Sequence, residues 1–350
     1  MSIAKSRLGL LLLAMALCVG CSSDSATSST SGTGESGGST SSGERLKTAF
    51  VTNQIASFWN IAKVGCEDAA KELDVDCDVR MPAVATAVEQ KRIVEDLIAG
   101  GIQAMAISPI DANNQVDLIN QWAAKIPLIT QDSDAPGTDR LMYIGMDNYL
   151  AGRMCGELVK QALPDGGNVM LFIGRTEQDN SKRRRQGVID VLMDRESLGE
   201  FDPTDEVVKN DKYTIMGTLT DQGDEAVAKR KAEDAITTYP EMNAMVGLFA
   251  YNPPQILAAL RSQGKLGKIQ VIGFDEADDT LQGIKDGTVI GTVVQNPYEY
   301  GYQSVRILKS LLEGDDSVIP ESKFIDIPAR TITKENVDEF WDDLKSKTGG

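Results

Sequence analysis

From Leu46 onward the chain alternates short apolar runs with stretches whose apolar residues recur at helical spacing. Thr48–Thr52 reads as a strand, then a helix through Phe58 to Leu73, a strand at Cys77–Met81 and a helix at Val88–Ala99 with Ile93, Val94, Leu97 and Ile98 on one face. A third strand at Ala104–Ile107, a helix at Val116–Ala124 and a fourth strand at Ile126–Ile129 follow. The cadence then restarts. Helices are expected at Gly152–Gln161, Arg184–Met193 and Glu225–Tyr239, and strands at Gly167–Phe172, Val207–Tyr213, Ala244–Leu248, Gln270–Phe274 and Val289–Val294. Continuous apolar strands alternating with amphipathic helices imply parallel sheets covered on both faces. The expected fold is therefore α/β, with two similar doubly wound parallel-sheet lobes. Neither sheet carries a GxGxxG fingerprint, which argues against dinucleotide binding. Ligands of open sheets sit beyond the carboxyl ends of the strands, so two such lobes facing one another would make a cleft.

The first 44 residues follow another pattern. Lys5 and Arg7 precede an apolar run, Leu8 to Val19, of 12 residues. A membrane span needs about 20, so residues 1–20 read as a signal peptide. Its end, Leu17-Cys18-Val19-Gly20-Cys21, resembles the bacterial lipoprotein box, although that box usually has Leu where Cys18 stands. The resemblance implies cleavage before Cys21, lipidation of that cysteine and a periplasmic protein anchored to a membrane. From Ser22 to Gly43 every residue but Asp24, Ala26 and Glu35 is Ser, Thr or Gly. Such a segment buries too little apolar surface to fold and would act as a tether, with a reach on the order of 25 Å, across residues 21–44. Gly34-Glu35-Ser36-Gly37-Gly38 matches the G-x-S-x-G nucleophile pattern but lacks the strand and helix that the motif requires.

Composition narrows the chemistry. The 350 residues suit two domains. With 35 basic against 52 acidic residues, a formal charge of -17 makes the surface repel nucleic-acid backbones. There is no histidine, which removes Ser-His-Asp and Cys-His triads and HExxH zinc sites. The cysteines left after processing, Cys21, Cys66, Cys77 and Cys155, contain no C-x-x-C spacing, so neither a metal site nor a cofactor is expected. Cys66 is placed in mid-helix and Cys77 at the next strand, and free thiols are expected there.

Polar residues gather just after the strands. Asn53, Ser57, Phe58 and Trp59 follow the first, and Asp132, Ser133 and Asp134 the fourth. Lys182 to Arg185 stand at a helix start, Thr220 and Asp221 are expected to open another helix, and Phe249, Tyr251 and Asn252 follow the Ala244 strand. Asp275 and Gln295 close two later strands. Carboxylates, amides and arginine can bind adjacent hydroxyls of a polyol in bidentate fashion, while its C–H face packs on an aromatic ring. Asp132 and Asp275 could instead cap following helices, and Asn252 could cap before Pro253. Phe58 and Trp59 are adjacent, so both are not expected in one helical core stripe.

These residues carry a resemblance to the ribose-binding-protein-like periplasmic sugar-binding proteins of ABC importers, running from about Leu46 to Thr333. It rests on Ser57-Phe58-Trp59, Gly145-Met146-Asp147-Asn148, Arg184-Arg185-Gln186-Gly187, Thr220-Asp221-Gln222-Gly223-Asp224, Tyr251-Asn252-Pro253, Gly273-Phe274-Asp275 and Gln295-Asn296-Pro297. The resemblance implies a type I periplasmic binding protein with a three-segment hinge crossed near Asp147, Gln295 and Phe324. One lobe would comprise 45–147 and 296–324, the other 148–295 and 325–350. It also implies that Phe58 and Trp59 floor the sugar while Asp132, Arg184, Asn252, Asp275 and Gln295 bond its hydroxyls, joined by Asp221. The chain departs from ribose binders at Ala56, Ser133 and Gly223, where they carry Asn, Arg and an aromatic, which points to a different or larger ligand.

The function so implied is capture of a monosaccharide-like ligand by a monomeric, non-catalytic protein that closes about its hinge and delivers the ligand to an ABC permease. The alternative is a sensor module that presents the closed form to a receptor kinase or chemoreceptor. A lactose-repressor-like regulator would need a basic helix-turn-helix where the signal peptide and linker stand. A glycosidase would need one of Asp132 and Asp275 to act as acid across a glycosidic bond.

Overall fold

The computed structural model describes residues 44–348. The expected signal peptide, lipidated Cys21 and linker to Gly43 lie outside the described residues. The first half runs β1 (Lys47–Val51), α1 (Ser57–Leu73), β2 (Asp76–Arg80), α2 (Ala87–Ala99), β3 (Ala104–Ile107), α3 (Val116–Ala123), β4 (Leu128–Gln131) and β5 (Tyr143–Gly145). The second runs α4 (Asn148–Ala162), β6 (Gly167–Ile173), α5 (Asp179–Leu192), β7 (Val208–Lys209), β8 (Tyr213–Thr220), α6 (Glu225–Thr238), β9 (Ala244–Gly247), α7 (Asn252–Ser262), β10 (Gln270–Phe274), α8 (Asp278–Asp286) and β11 (Gly291–Val294). Then come α9 (Pro297–Leu312), β12 (Phe324–Asp326), β13 (Arg330–Ile332) and α10 (Val337–Thr348).

The strands form two sheets, ordered β12-β5-β4-β3-β1-β2 and β13-β11-β10-β9-β6-β8-β7. Within each, the five main strands are parallel and share one arrangement, 2-1-3-4-5 in order of appearance. In that arrangement the chain reverses its direction of winding at the first strand. The ligand crevice is therefore expected beyond the carboxyl ends of β1 and β3, and of β6 and β9.

Two corrections to the sequence reading concern polar or short strands. β8 runs from Tyr213 to Thr220, so Thr220 ends a strand and does not open a helix; the N-cap of α6 is Asp224, whose side chain accepts from Ala226 and Val227. β5 is three residues, too short to show a period. The third crossing also falls later than expected. β12 still pairs with β5 in the first sheet, whereas β13 pairs with β11 in the second, so the chain crosses after Asp326 rather than at Phe324.

Each lobe has an apolar cluster on either face of its sheet. Phe50, Ala104, Ile129 and Leu308 share one and Val51, Met105, Ile107 and Trp122 the opposite one in the first lobe. Close helix pairs seal one side of each lobe. A Cβ on Gly65 of α1 would lie 2.0 Å from the Tyr298 carbonyl of α9, and one on Gly152 of α4 would lie 2.1 Å from the Arg184 carbonyl of α5. The backbones meet there because glycine leaves room. Cys66, Cys77 and Cys155 are free thiols.

Candidate functional site

A cavity of about 180 Å³ lies between the lobes at the carboxyl ends of the strands. That is far beyond the roughly 10–15 Å³ that one water needs, and it suits a small molecule. The first lobe supplies the turn from Asn53 to Trp59 and Asp132, and the second supplies Arg175, Gln178, Asn180, Arg184, Phe249, Tyr251 and Asp275. Gln295, at the second crossing, closes the base.

The two aspartates occupy matching places. Asp132 follows β4 and Asp275 follows β10, at φ 59° and 64°. Aspartate tolerates this left-handed conformation better than most residues, but it is still uncommon. The sheet enforces it on both. The Asp132 N–H donates to Ile144 and its carbonyl accepts from the Tyr143 hydroxyl; the Asp275 N–H donates to Val293 and its carbonyl accepts from the Thr292 hydroxyl. No helix starts on Asp132, and α8 begins after Ala277. Neither aspartate is an N-cap; Asp132 Oδ2 accepts from the Ser108 hydroxyl and from Asn53, Asp275 Oδ1 accepts from Gln295, and both residues line the cavity.

Between them stands Arg184, 1% exposed. Its Nε donates to Asn148 Oδ1 at 2.8 Å and its Nη1 to the Leu248 carbonyl at 3.2 Å. The guanidinium lies 4.2 Å from the Phe274 ring centroid and 5.2 Å from that of Phe249. Its Nη2 is 3.9 Å from Asp132 Oδ1, too far for a hydrogen bond, and has no other partner. A fixed, buried donor without a hydrogen-bond partner thus stands near the Asp132 carboxylate, and its charge also acts on Asp275.

Burial governs the acidities. It pushes Asp132 up from 3.8 to about 6, against the opposing pull of Arg184 and the hydroxyl of Ser108. Asp275 rises to about 6 for the same reason, opposed by Arg184 and by Gln295, whose Nε2 donates to it at 2.9 Å. Around these groups converge the N-termini of α1, α5, α7 and α8. Their cap residues Ala56, Gln178, Tyr251 and Ala277 make no side-chain cap, and all four line the cavity. First-turn N–H groups of α1, α5 and α8 favour a ligand rich in oxygen acceptors, whereas α7 offers none, because the Asn252 N–H donates to the Phe249 carbonyl and Pro253 and Pro254 follow.

The cavity wall includes six of the eight expected residues: Phe58, Trp59, Asp132, Arg184, Asp275 and Gln295. Phe58 and Trp59 pack edge to face at 4.9 Å, and the Trp59 Nε1 donates to Asn53. Contrary to the single-stripe argument, both are buried in the cluster around Phe50, because the first turn of α1 sits where core and cleft meet. Asp221 and Asn252 stand one layer behind the wall. Asp221 accepts from the Tyr251 hydroxyl at 2.6 Å and from Asn252 Nδ2 at 2.8 Å, and so fixes Tyr251 in the wall. Burial raises Asp221 to about 6 as well. Asn252 is the first residue of α7 and caps nothing.

Sequence reasoning missed Arg175, Gln178 and Asn180, because it started α5 at Arg184, five residues too late. Asn180 stands one turn before Arg184 on the same face, a spacing that would have flagged it once the helix start was known. Asn148, in the motif at the first crossing, orients Arg184 by accepting from its Nε. Arg185 is not solvated: it is 3% exposed and donates to Thr218, Asp202 and Pro203. Among the described residues no cluster of acidic or sulfur side chains could hold a metal ion, and no helix is long and apolar enough to cross a membrane.

Two facing α/β sheets with a polar cavity at their strand ends and three crossings define a two-lobed binding protein. The chain belongs to the periplasmic binding protein domain family, which matches residues 49–316. It is similar to the ribose import binding protein of Salmonella typhimurium, 27% identical over 227 residues that cover 63% of this chain and 70% of that one. In structure it is similar to GanP, a glucose-galactose binding protein from Geobacillus stearothermophilus, at 25% identity and TM-score 0.75 over 84% of this chain and 99% of that one. It is also similar to an ABC transporter solute binding protein from Burkholderia graminis C4D1M in complex with D-arabinose, at 25% identity and TM-score 0.75 over 83% and 96%. The resemblance read from seven short motifs and the two-lobed α/β architecture are both borne out.

Proposed function

We propose that this protein binds a monosaccharide-like polyol between its lobes and delivers it to an ABC permease, as a periplasmic, lipid-anchored monomer. The observation that carries the reading is the buried Arg184, with its unpartnered Nη2 3.9 Å from Asp132 of one lobe, in a cavity wall that also holds Asp275 of the other. A ligand hydroxyl between them would accept from Arg184 and donate to a carboxylate. Gln295, Asn180 and Gln178 add amide groups, and Phe58, Trp59 and Phe249 add faces for C–H groups. The Gln178 Oε1 is itself buried without a partner. A ring bound in this way touches both lobes at once, so it would stabilise the closed arrangement by its differential contacts. The sugars named for the similar proteins above support the same ligand class. Delivery to a permease rests on the family, and the anchor rests on the sequence around Cys21.

Thermal unfolding against pentoses, hexoses, polyols and inositols tests the proposal. A ligand at 100 times its Kd stabilises the native state by about 2.7 kcal/mol. At roughly 2–4 °C per kcal/mol, a true ligand moves the melting temperature by several degrees. One responsive sugar, with the response lost in Arg184→Met, is the expected result. A flat panel would refute the reading.

A further inference from the structure

Tyr251 joins the cavity wall with its hydroxyl proton already committed. The Tyr251 O–H donates to Asp221 Oδ1 at 2.6 Å, and a phenol has a single proton to give. Asp221 is fixed in turn. Its Oδ1 also accepts from the Gly223 N–H at 2.8 Å, its Oδ2 accepts from Asn252 Nδ2 at 2.8 Å, and its own N–H donates to the Ile173 carbonyl at 3.2 Å. Asp221 is 2% exposed, so it holds the hydroxyl from behind the wall without facing a ligand itself.

The hydroxyl has its place because Gly174 carries no side chain. A Cβ there would lie 2.9 Å from Tyr251 Oη and 3.7 Å from the Phe249 ring, and all three residues line the cavity. Arg175, the next residue, gives its Nη2 to the Gln222 carbonyl and makes no hydrogen bond to Tyr251. Among the described residues Tyr251 Oη makes the one hydrogen bond, to Asp221. An oxygen whose proton is taken keeps its lone pairs and has nothing left to donate. Arg184, in the same wall, can only donate. The two residues therefore place opposite demands on one ligand.

Resting on the sugar-binding function proposed above, we infer that Tyr251 is a specificity-determining residue and Asp221 its positioning residue. With its proton given to Asp221, Tyr251 Oη accepts and does not donate, so the sugar has to point one O–H at it. A group at that place which can only accept is rejected, because both oxygens are then left unpaired.

Calorimetry on the full chain with D-ribose, D-arabinose, D-glucose and D-galactose and their monodeoxyfluoro analogues tests this, since a C–F group fills the place of a hydroxyl but cannot donate. At one ring position the parent sugar should bind at least about tenfold more tightly than its analogue, and Tyr251→Phe should bring that ratio to within about twofold of unity while the ratios at other positions stay as they are. Asp221→Ala frees the Tyr251 proton and should cut the same ratio at least about threefold. Asp221→Asn, whose Oδ1 can still accept that proton, should keep it. A merely structural Asp221 would lower the melting temperature of the alanine variant with the ratio intact, and that result overturns the positioning role. If Tyr251→Phe changes the ratio at no position, the inference is overturned and the sugar-binding function stands. A panel in which no parent sugar binds overturns both.

Discussion

Replacing Asp275 by Asn separates what the cavity needs for binding from what the fold needs for stability. The Asp275 carboxyl rises from 3.8 to about 6, with burial as the leading cause, even with Arg184 beside it. Because the native acidity constant is raised, the associated stability is fully present below pH 3.8 and is lost as pH rises through about 6. At roughly 1.4 kcal/mol per pH unit, holding the carboxylate ionised above pH 7 costs the unliganded protein about 3 kcal/mol. Asn cannot ionise, and its Oδ1 can still accept from Gln295 Nε2, the bond that Asp275 accepts at 2.9 Å. The ligand-free Asp275→Asn protein should therefore melt above the wild type at pH 8, by an amount on the order of 5 °C. The gap should close as pH falls toward 4. Affinity should move the other way: a hydrogen bond to a charged acceptor contributes about 1.5–3 kcal/mol, so the ligand should bind about 10- to 150-fold more weakly. Scanning calorimetry from pH 4 to 8 with and without ligand reads both effects. A variant that melts below the wild type at pH 8 would show that attraction to Arg184 outweighs burial, and would refute the reasoning.

Further expectations follow from single contacts. Arg184→Met removes the cation whose charge acts on Asp132 and Asp275; calorimetry should show ligand affinity lost by at least about 100-fold, since the buried, unpartnered Nη2 is the donor that the proposed binding mode uses. Asn148→Ala takes away the acceptor of Arg184 Nε and should weaken binding about tenfold without changing which sugar is preferred, whereas a merely structural role would lower melting temperature and leave affinity untouched. Gly65→Ala would drive a Cβ to 2.0 Å from the Tyr298 carbonyl, so denaturant unfolding should show a loss of about 1–3 kcal/mol with ligand Kd unchanged in the surviving folded protein.

The sequence by itself determined the alternation of strands and helices and, through it, the class of fold. β3 and β10 fall where the apolar runs place them, because four or five consecutive apolar residues bounded by polar ones have no other stable home than the middle of a sheet. The same pattern could not reveal β5, too short to show a period, or β8, whose Thr and Gly residues dilute the apolar signal near the sheet edge. Asp132, Asp275 and Gln295 were legible as candidates because each stands at a strand end, and Arg184 because it stands at a helix start in a motif shared with a known family; all four line the cavity. Tertiary structure alone decided what their side chains do. The left-handed backbone at Asp132 and Asp275 is imposed by neighbouring strands, and it turns two residues that could have capped helices toward the cavity. It also set Asp221 and Asn252 behind the wall and brought Gln178 and Asn180 into it. Hydrophobic period is a local property, felt over a few residues. The wall of a cleft joins strand ends far apart in the chain, and which of them meet depends on strand order and on how the two sheets face each other.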